Sequence, residues 1–304
     1  MAQKSQFSSD LSDLLVPLTG LLLGIGNVWF VDAGDSNASD SSGAGRTVGT
    51  PFSTLAFAVG QTTPSNGDII ILSPGHTETI SAADGIRFGT ASVGVQVIGV
   101  GQGTNRPTFD FTTVAAADME IDAANITLRN LLFTMNGVDA IVAGIDVNAS
   151  DFSMIGCEVQ MSTSANQAVI AVDLDANADN AKIVDCQFLA PNVGAAEAIE
   201  ISGALTKILI RDLWIDGDFS DACVHSTSVF TQALIRDSFF KNDQTTDHAL
   251  EFTAAATGFL VNNRYHTDIN PASAEVVDPG SLFSFECYAV DLVDLSGILE
   301  PAAT

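Results

Sequence analysis

Four acidic residues and one histidine recur at nearly equal intervals along this chain, each inside a short apolar segment. They are Asp146, Asp173, Glu200, His225 and Glu251, so successive members lie 27, 27, 25 and 26 residues apart. Paired carboxylates can act as acid and nucleophile at a glycosidic bond. Clustered carboxylate oxygens can also hold calcium. Arg211 and Arg236, themselves 25 residues apart, would supply the cation or base that a lyase requires.

Two less reactive interpretations apply to the same five residues. Stacked like charges are unfavourable, so a ladder linked by cations or by a second subunit would relieve their repulsion. A plain solvated face is the other interpretation, and the composition favours it because the chain carries 37 acidic against 11 basic side chains. The sequence therefore predicts no catalytic residue, no cofactor and no metal site.

The five residues belong to one set of short segments that alternate apolar and polar residues, as half-buried strands do. Each segment has an apolar residue next to the polar one, and these apolar anchors are again 25–27 residues apart. The anchors are Ile145, Val172, Ile199, Val224, Leu250 and Val276. Alternation directs the anchors inward and the acidic column outward.

A second set of strand-like segments runs half a period out of phase with the first. It comprises residues 128–133, 155–159, 184–188, 210–214, 235–239, 261–265 and 285–288. Their third positions are 27, 29, 26, 25, 26 and 24 residues apart. These positions are Asn130, Cys157, Cys186, Asp212, Asp237, Asn263 and Cys287. A period of 20–50 residues indicates a repeat architecture.

These two sets predict an all-β, single-domain, right-handed parallel β-helix. With no helix between the strands, a βαβ sheet is excluded, and each coil must stack on the previous one at about 4.8 Å. The seven third positions are then expected to form one inward column of stacked side chains. Residues 68–72 and 93–98 are expected to supply the first coils. A β-sandwich is the alternative, and the regular step size counts against it.

Charge and cysteine usage exclude several functions. The formal net charge of −26 repels nucleic acid, so no nucleic-acid partner is expected. The four cysteines have no CxxC spacing, which argues against a cysteine-based zinc site. Cys157 and Cys186 stack in adjacent coils at a separation that would permit a disulfide. We expect free thiols that fill space as small apolar groups.

The N-terminal residues 1–26 form an arm with an apolar stripe, which is predicted to bind a partner. The stripe consists of Leu11, Leu14, Leu15, Leu18, Leu21 and Leu22. Pro17 and several glycines interrupt the uncharged stretch, so a membrane-spanning helix is not expected. Asp10 and Asp13 outweigh Lys4, which disfavours a signal peptide.

Residues 27–67 are predicted to cap the open end of the β-helix. A strand at 28–32 is followed by a Gly/Ser/Asp loop and a short helix over 51–59, with Ser53 as its N-cap. The order of Val31-Asp32, the loop, Thr50-Pro51-Phe52-Ser53-Thr54, residues 67–72 and Pro74-Gly75-His76-Thr77 resembles the entry to pectate-lyase-like parallel β-helix proteins. More narrowly, it is similar to β-helix structural proteins of tailed bacteriophages. The resemblance covers residues 27–290.

The resemblance implies a structural role in a virion. In such phages, β-helix chains serve as trimeric capsid decoration (cement) proteins, head fibres or tailspikes. We expect a homotrimer on the capsid surface, bound to the major capsid protein, without enzymatic activity. A tailspike that binds or cleaves polysaccharide is the alternative. The chain has two Trp and two Tyr, few for a sugar-binding groove.

The predicted organisation has four parts. The arm occupies residues 1–26, the cap 27–67, the β-helix 68–290 and a C-terminal tail 291–304.

Overall fold

The computed structural model describes residues 26–163, 165–268 and 276–291. In this part of the chain three parallel sheets run side by side, and from the second strand onwards successive strands join the three sheets in turn. The all-β parallel β-helix predicted from the repeat is confirmed. The apolar stripe at Leu11, Leu14, Leu15, Leu18, Leu21 and Leu22 lies outside the described residues, as does most of the tail.

Sheet 1 has ten strands, and every neighbouring pair is parallel. Its strands are β1 (Val28–Val31), β2 (Ile69–Leu72), β5 (Gln96–Gly99), β8 (Thr127–Arg129), β11 (Ser153–Ile155), β14 (Lys182–Val184), β17 (Leu209–Arg211), β20 (Ala233–Arg236), β23 (Gly258–Val261) and β26 (Phe283–Phe285). The predicted first coils at 68–72 and 93–98 correspond to β2 and β5.

Sheet 2 has nine strands. They are β3 (Thr77–Ile80), β6 (Thr108–Phe111), β9 (Leu132–Thr134), β12 (Glu158–Gln160), β15 (Gln187–Ala190), β18 (Trp214–Gly217), β21 (Phe239–Asn242), β24 (Arg264–Thr267) and β27 (Tyr288–Asp291). Sheet 3 has eight strands. They are β4 (Ile86–Phe88), β7 (Met119–Ile121), β10 (Ile141–Val147), β13 (Ala168–Leu174), β16 (Glu197–Glu200), β19 (Ala222–Ser226), β22 (His248–Phe252) and β25 (Val277–Asp278).

Apolar side chains fill the interior because alternate residues of every strand point inward. Phe109 and Phe133 stack with ring centroids 5.7 Å apart, and Phe240 and Tyr265 stack at the same separation further along the same sheet. All four rings are buried. Offset stacking of this kind adds to the stabilisation from apolar burial, since each ring removes a large area from water.

The predicted third-position column is wrong by one residue in part of its length. Strand register places Asn130, Asp212 and Asp237 at the corner between sheets 1 and 2, together with Gly156, Asp185, Asn262 and Glu286. Cys157, Cys186, Asn263 and Cys287 instead stack inside, one residue later, with Leu131, Leu213 and Ser238. What the sequence suggested as one strand is therefore two strands on either side of a corner.

The corner residues share a left-handed backbone conformation. Their φ angles lie between 53° and 63° from Asn130 to Glu286. Each amide N–H from Asn130 to Asn262 donates to a carbonyl of the next coil, for example Asp212 N to Arg236 O at 3.2 Å. Asn, Asp and Gly tolerate this conformation better than other residues, which explains why they recur there.

The first coil is closed by the strand and helix predicted from the sequence. Strand β1 pairs with β2 and so extends sheet 1, while helix α1 (Leu55–Val59) packs beside it. The N-cap is Thr54, not Ser53: its side chain accepts from Phe57 N at 3.1 Å. Ser53 lies one residue too early to be the cap, because the helix begins at Leu55 and not at Pro51 as predicted. The N–H groups of Ser53 and Thr54 both donate to Asp40 Oδ1, at 2.8 and 3.2 Å, which fixes the loop before the helix.

The four cysteines are free and buried, as expected. Cys186 Sγ lies 3.6 Å from Met154 O, and Cys157 Sγ lies 3.8 Å from Leu128 O, so each thiol contacts a carbonyl of the preceding coil. These residues act as small fillers of the interior column.

Candidate functional site

The five residues singled out by spacing lie in register on the outer face of sheet 3. Asp146 pairs with Asp173, Asp173 with Glu200, Glu200 with His225, and His225 with Glu251. We call these residues the acidic column. Neighbouring strands place equivalent side chains about 5 Å apart, so four carboxyl groups and one imidazole share one stripe.

The column is longer than the sequence suggested. Glu120 precedes Asp146, and Arg87 precedes Glu120. At the other end of the column Glu251 pairs with Asp278, and the anchor before it, Leu250, pairs with Val277. The predicted anchor Val276 is therefore one residue early: the step from Leu250 to Val277 is 27 residues, which is within the range of the other steps, so spacing alone did not distinguish Val276 from Val277.

A break in the alternation of β16 adds one further residue to the site. Ala198 and Ile199 are both buried, so two successive side chains point inward and the alternation shifts by one. Glu197 consequently returns to the outer face beside Glu200. Strict alternation would have placed it inside, which is why spacing alone missed it.

Glu197 and His225 form the closest acid–histidine pair of the site. His225 Nδ1 lies 3.2 Å from Glu197 Oε1, and Glu197 is 4% exposed. Burial raises the pKa of Glu197 to about 7, against the opposing effect of His225. The neighbouring Glu197 carboxylate raises the pKa of His225.

Four further carboxyl groups of the extended column have raised pKa values. Burial raises the pKa of Glu120 to about 7, although Asn148 Nδ2 donates to its Oε1 at 2.6 Å. Burial and the charge of Asp173 raise the pKa of Asp146 to about 6. Asp173 and Glu200 have raised pKa values, mainly through burial. The column thus combines carboxyl groups of raised pKa with one imidazole.

The predicted arginine pair lies on a different sheet from the acidic column. Arg211 pairs with Arg236 in sheet 1, in the register that the sequence suggested. Each arginine contacts the acid of the adjoining corner: Arg211 Nε lies 3.0 Å from Asp212 Oδ2, and Arg236 Nε lies 2.5 Å from Asp237 Oδ2. The arginines therefore belong to the corner, and the structure does not bring them to the carboxylates.

A groove follows this corner between sheets 1 and 2. Its volume is about 1240 Å³, and Arg106, Arg129, Asp185 and Trp214 are among its lining residues. Trp214 is 48% exposed and stacks on Phe239 with ring centroids 4.4 Å apart. Trp214 also lines a smaller adjoining depression together with Phe239 and Arg264.

Exposed aromatic rings also occupy the outer face of sheet 1 in the last coils. Phe283 is 62% exposed, Phe285 is 53% exposed, and both ring centroids lie 6.0 Å from that of Phe259. Register aligns Leu209, Leu234, Phe259 and Phe283 across four successive coils. We call these four residues the apolar stripe of sheet 1. A contiguous apolar surface of this kind is typical of an interaction site.

Comparison with solved structures identifies the fold. A rhamnogalacturonan lyase matches with a TM-score of 0.58 and 12% identity, over 87% of this chain and 74% of that one. A pectin methylesterase from Aspergillus niger matches with a TM-score of 0.55 and 14% identity, over 93% and 91%. The pectate lyase Pel9A matches with a TM-score of 0.51 and 15% identity, over 92% and 82%.

These likenesses show the fold of the chain. The chain has the fold of the pectate-lyase-like, right-handed parallel β-helix proteins. No protein-family model matches the sequence, and a search of curated proteins finds no match. Within the described residues, no helix is both long and apolar enough to cross a membrane.

Proposed function

We propose that the protein is a structural component of a bacteriophage virion, which decorates the capsid surface as a homotrimer and has no enzymatic role. The apolar stripe of sheet 1 is the observation that carries this proposal. Its four residues run along the β-helix axis, with Phe259 and Phe283 strongly exposed. Covering such a surface is favourable by about 25 cal/mol per Å² of apolar area removed from water.

The charge distribution favours a second copy of the chain on this stripe. Copies with a formal charge of −26 repel one another, so the electrostatic repulsion on contact is smallest where the surface carries no acidic residue. Leu209, Leu234, Phe259 and Phe283 form such a zone across four coils. A stripe parallel to the β-helix axis lets three copies pack side by side around a threefold axis.

The trimer is tested by measuring the mass in solution by light scattering. We expect a trimer for the wild-type protein and a monomer for the double variant Phe259→Ser, Phe283→Ser. Val193→Ser is the matched control, because Val193 is 63% exposed but lies outside the stripe. A monomeric wild-type protein, or a trimer that survives the double substitution, contradicts the proposed interface.

We assign attachment to the shell to a contact between the apolar arm, residues 1–26, and the major capsid protein. Deleting residues 1–26 should abolish binding to undecorated particles, while the variant Asp173→Ala, Glu200→Ala should still bind. Quantitative mass spectrometry of purified particles should count hundreds of copies. A few copies per particle would instead indicate a tail protein.

A tailspike-like glycan-binding protein is the second candidate, favoured by the corner groove. Aromatic rings bind sugar rings by stacking, and Trp214 on Phe239 offers such a platform beside Arg264. Under this hypothesis Trp214→Ala abolishes binding on a glycan array, while Val193→Ser does not. Cleavage of a polysaccharide by the purified protein, lost in Asp173→Ala, Glu200→Ala, would overturn the non-enzymatic assignment.

A further inference from the structure

Three side chains on adjacent coils of sheet 3 converge in one place. Glu197 and Glu200 lie on β16, and His225 lies on β19 directly beside Glu200. One potential ligand atom from each lies within 4.8 Å of the others. The group thus offers one imidazole nitrogen and two carboxylates from two consecutive coils.

Glu197 shows that this cluster is more than a row of surface acids. Glu197 is 4% exposed, and its Oε2 is buried without a hydrogen-bond partner in the described structure. His225 Nδ1 is also buried, and its contact with Glu197 falls outside hydrogen-bond geometry. Buried polar atoms without partners are costly, so each requires an explanation.

The surroundings leave the cluster with excess negative charge. Asp173 and Asp221 both act on the Glu197–Glu200 pair electrostatically. Among the described residues, His225 is the basic side chain that contacts Glu197. Ala222 stands next to Glu197 in the following coil.

We propose that Glu197, Glu200 and His225 bind a divalent transition-metal ion of the Zn²⁺ type, which ties β16 to β19. Imidazole is a ligand for Zn²⁺, Ni²⁺ and Cu²⁺, whereas Ca²⁺ and Mg²⁺ require oxygen ligands. Zinc binds nitrogen and carboxylate oxygen at about 2.0–2.2 Å, so two ligand atoms of a tetrahedral site lie about 3.4 Å apart. A movement of about 1.5 Å or less by the half-buried Glu200 side chain would bring the three ligand atoms to this separation.

The ion would satisfy the orphaned Glu197 oxygen and the His225 nitrogen together, and water would fill its fourth position. The cysteine spacing could not indicate this site, because its ligands are two carboxylates and one histidine. The prediction that the chain has no metal site is therefore the one that this proposal revises. The site does not depend on the proposed virion role, because its ligands lie on sheet 3 and the apolar stripe on sheet 1.

Equilibrium dialysis of untagged full-length protein against Zn²⁺, with metal counted by mass spectrometry, tests the proposal. We expect one Zn²⁺ per chain, visible absorption bands when Co²⁺ is substituted, and a melting temperature that falls on chelation with EDTA. The variants His225→Ala and Glu197→Gln should each bind at least about tenfold more weakly. His248→Ala is the matched control and should bind normally, although His248 lies 3.6 Å from Glu251.

Circular dichroism in EDTA tests whether each variant folds. If His225→Ala does not fold, Glu200→Gln replaces it as the ligand variant. Less than half an equivalent of bound Zn²⁺ in the wild-type protein overturns the proposal. Equal loss in His248→Ala also overturns it, because binding would then be nonspecific. Preferential binding of Ca²⁺ that is unaffected by His225→Ala overturns it as well.

Discussion

Single residues at the corner between sheets 1 and 2 determine where each coil turns. From Asn130 to Glu286, seven consecutive corners place one residue in the left-handed region. This conformation costs an ordinary L-residue about 1–2 kcal/mol, and Asn, Asp and Gly adopt it most readily. The identity of one residue per coil therefore contributes directly to the stability of the fold.

Asp212→Val tests this contribution. A β-branched side chain at φ 55° should lower the free energy of unfolding by about 1–2 kcal/mol. Asp212→Asn should change it by less than about 0.5 kcal/mol, because Asn tolerates this backbone and an exposed ion pair contributes little. Urea denaturation measures both. Equal destabilisation by Val and Asn would mean that the contact with Arg211, not backbone conformation, stabilises the corner.

The corner also shows how far the sequence predicts the fold. Spacing predicted the coils, but it did not distinguish a corner residue from the next, inward one. In Asn262-Asn263 and Asp185-Cys186 a corner residue is followed directly by an inward residue, and the spacing fits either one. The predicted third-position column therefore contained both corner and inward residues. A shift of one residue exchanges the two faces of a strand, and only register decides between them.

At the scale of elements, buried side-chain amides join neighbouring coils. Asn242, at the end of β21, accepts from Phe219 N at 2.9 Å and donates to Phe219 O at 3.1 Å and His248 O at 3.0 Å. Its side chain pairs with backbone hydrogen-bonding groups in the loop between β18 and β19 and at the start of β22. Asn263 similarly accepts from Ser238 N and donates to Ile235 O.

Replacing Asn242 with Leu should destabilise the protein strongly. The change keeps the branched four-atom skeleton of the side chain but leaves buried backbone groups of Phe219 and His248 unpaired, each costing about 1–3 kcal/mol. We expect a loss of about 3 kcal/mol in chemical denaturation. Asn105→Leu is the control, since Asn105 is exposed. A loss no larger than in the control would show that water satisfies these groups.

Sheet 3 marks the limit of prediction for the candidate site. The acidic column could be found from spacing because each member follows an apolar anchor by one residue. Glu197 could not, since its outward position depends on two successive inward residues, Ala198 and Ile199. Local breaks of this kind depend on how coils pack, and a periodic pattern does not encode them.

At the scale of the whole molecule, the raised carboxyl pKa values make stability depend on pH. Glu120 and Glu197 titrate at about 7 and Asp146 at about 6 in the folded protein. Unfolded Glu and Asp titrate near about 4, so the folded protein binds more protons between about pH 4 and 7. His225, also raised, acts with the same sign. Stability therefore falls as pH rises through this window.

We expect the melting temperature, measured in EDTA, to be several degrees higher at pH 5.5 than at pH 8. Glu197→Gln should flatten this dependence because it removes one of the raised carboxyl groups. Glu251→Gln, at the far side of His225 in the acidic column, is the comparison variant. A melting temperature that rises with pH would mean that the carboxyl groups are stabilised in their ionised form.

The uniform stacking of coils also gives the protein an adjustable length. Ten strands in sheet 1 extend for nine inter-strand steps, or about 43 Å at about 4.8 Å each. Removing residues 182–208 would excise one full repeat and place Ile155 in register with Arg211. The inward residues next to Ile155 and Arg211 would then also stack in register. Gain or loss of a repeat thus changes the reach of the molecule in increments of one strand spacing, which makes this architecture a molecular ruler.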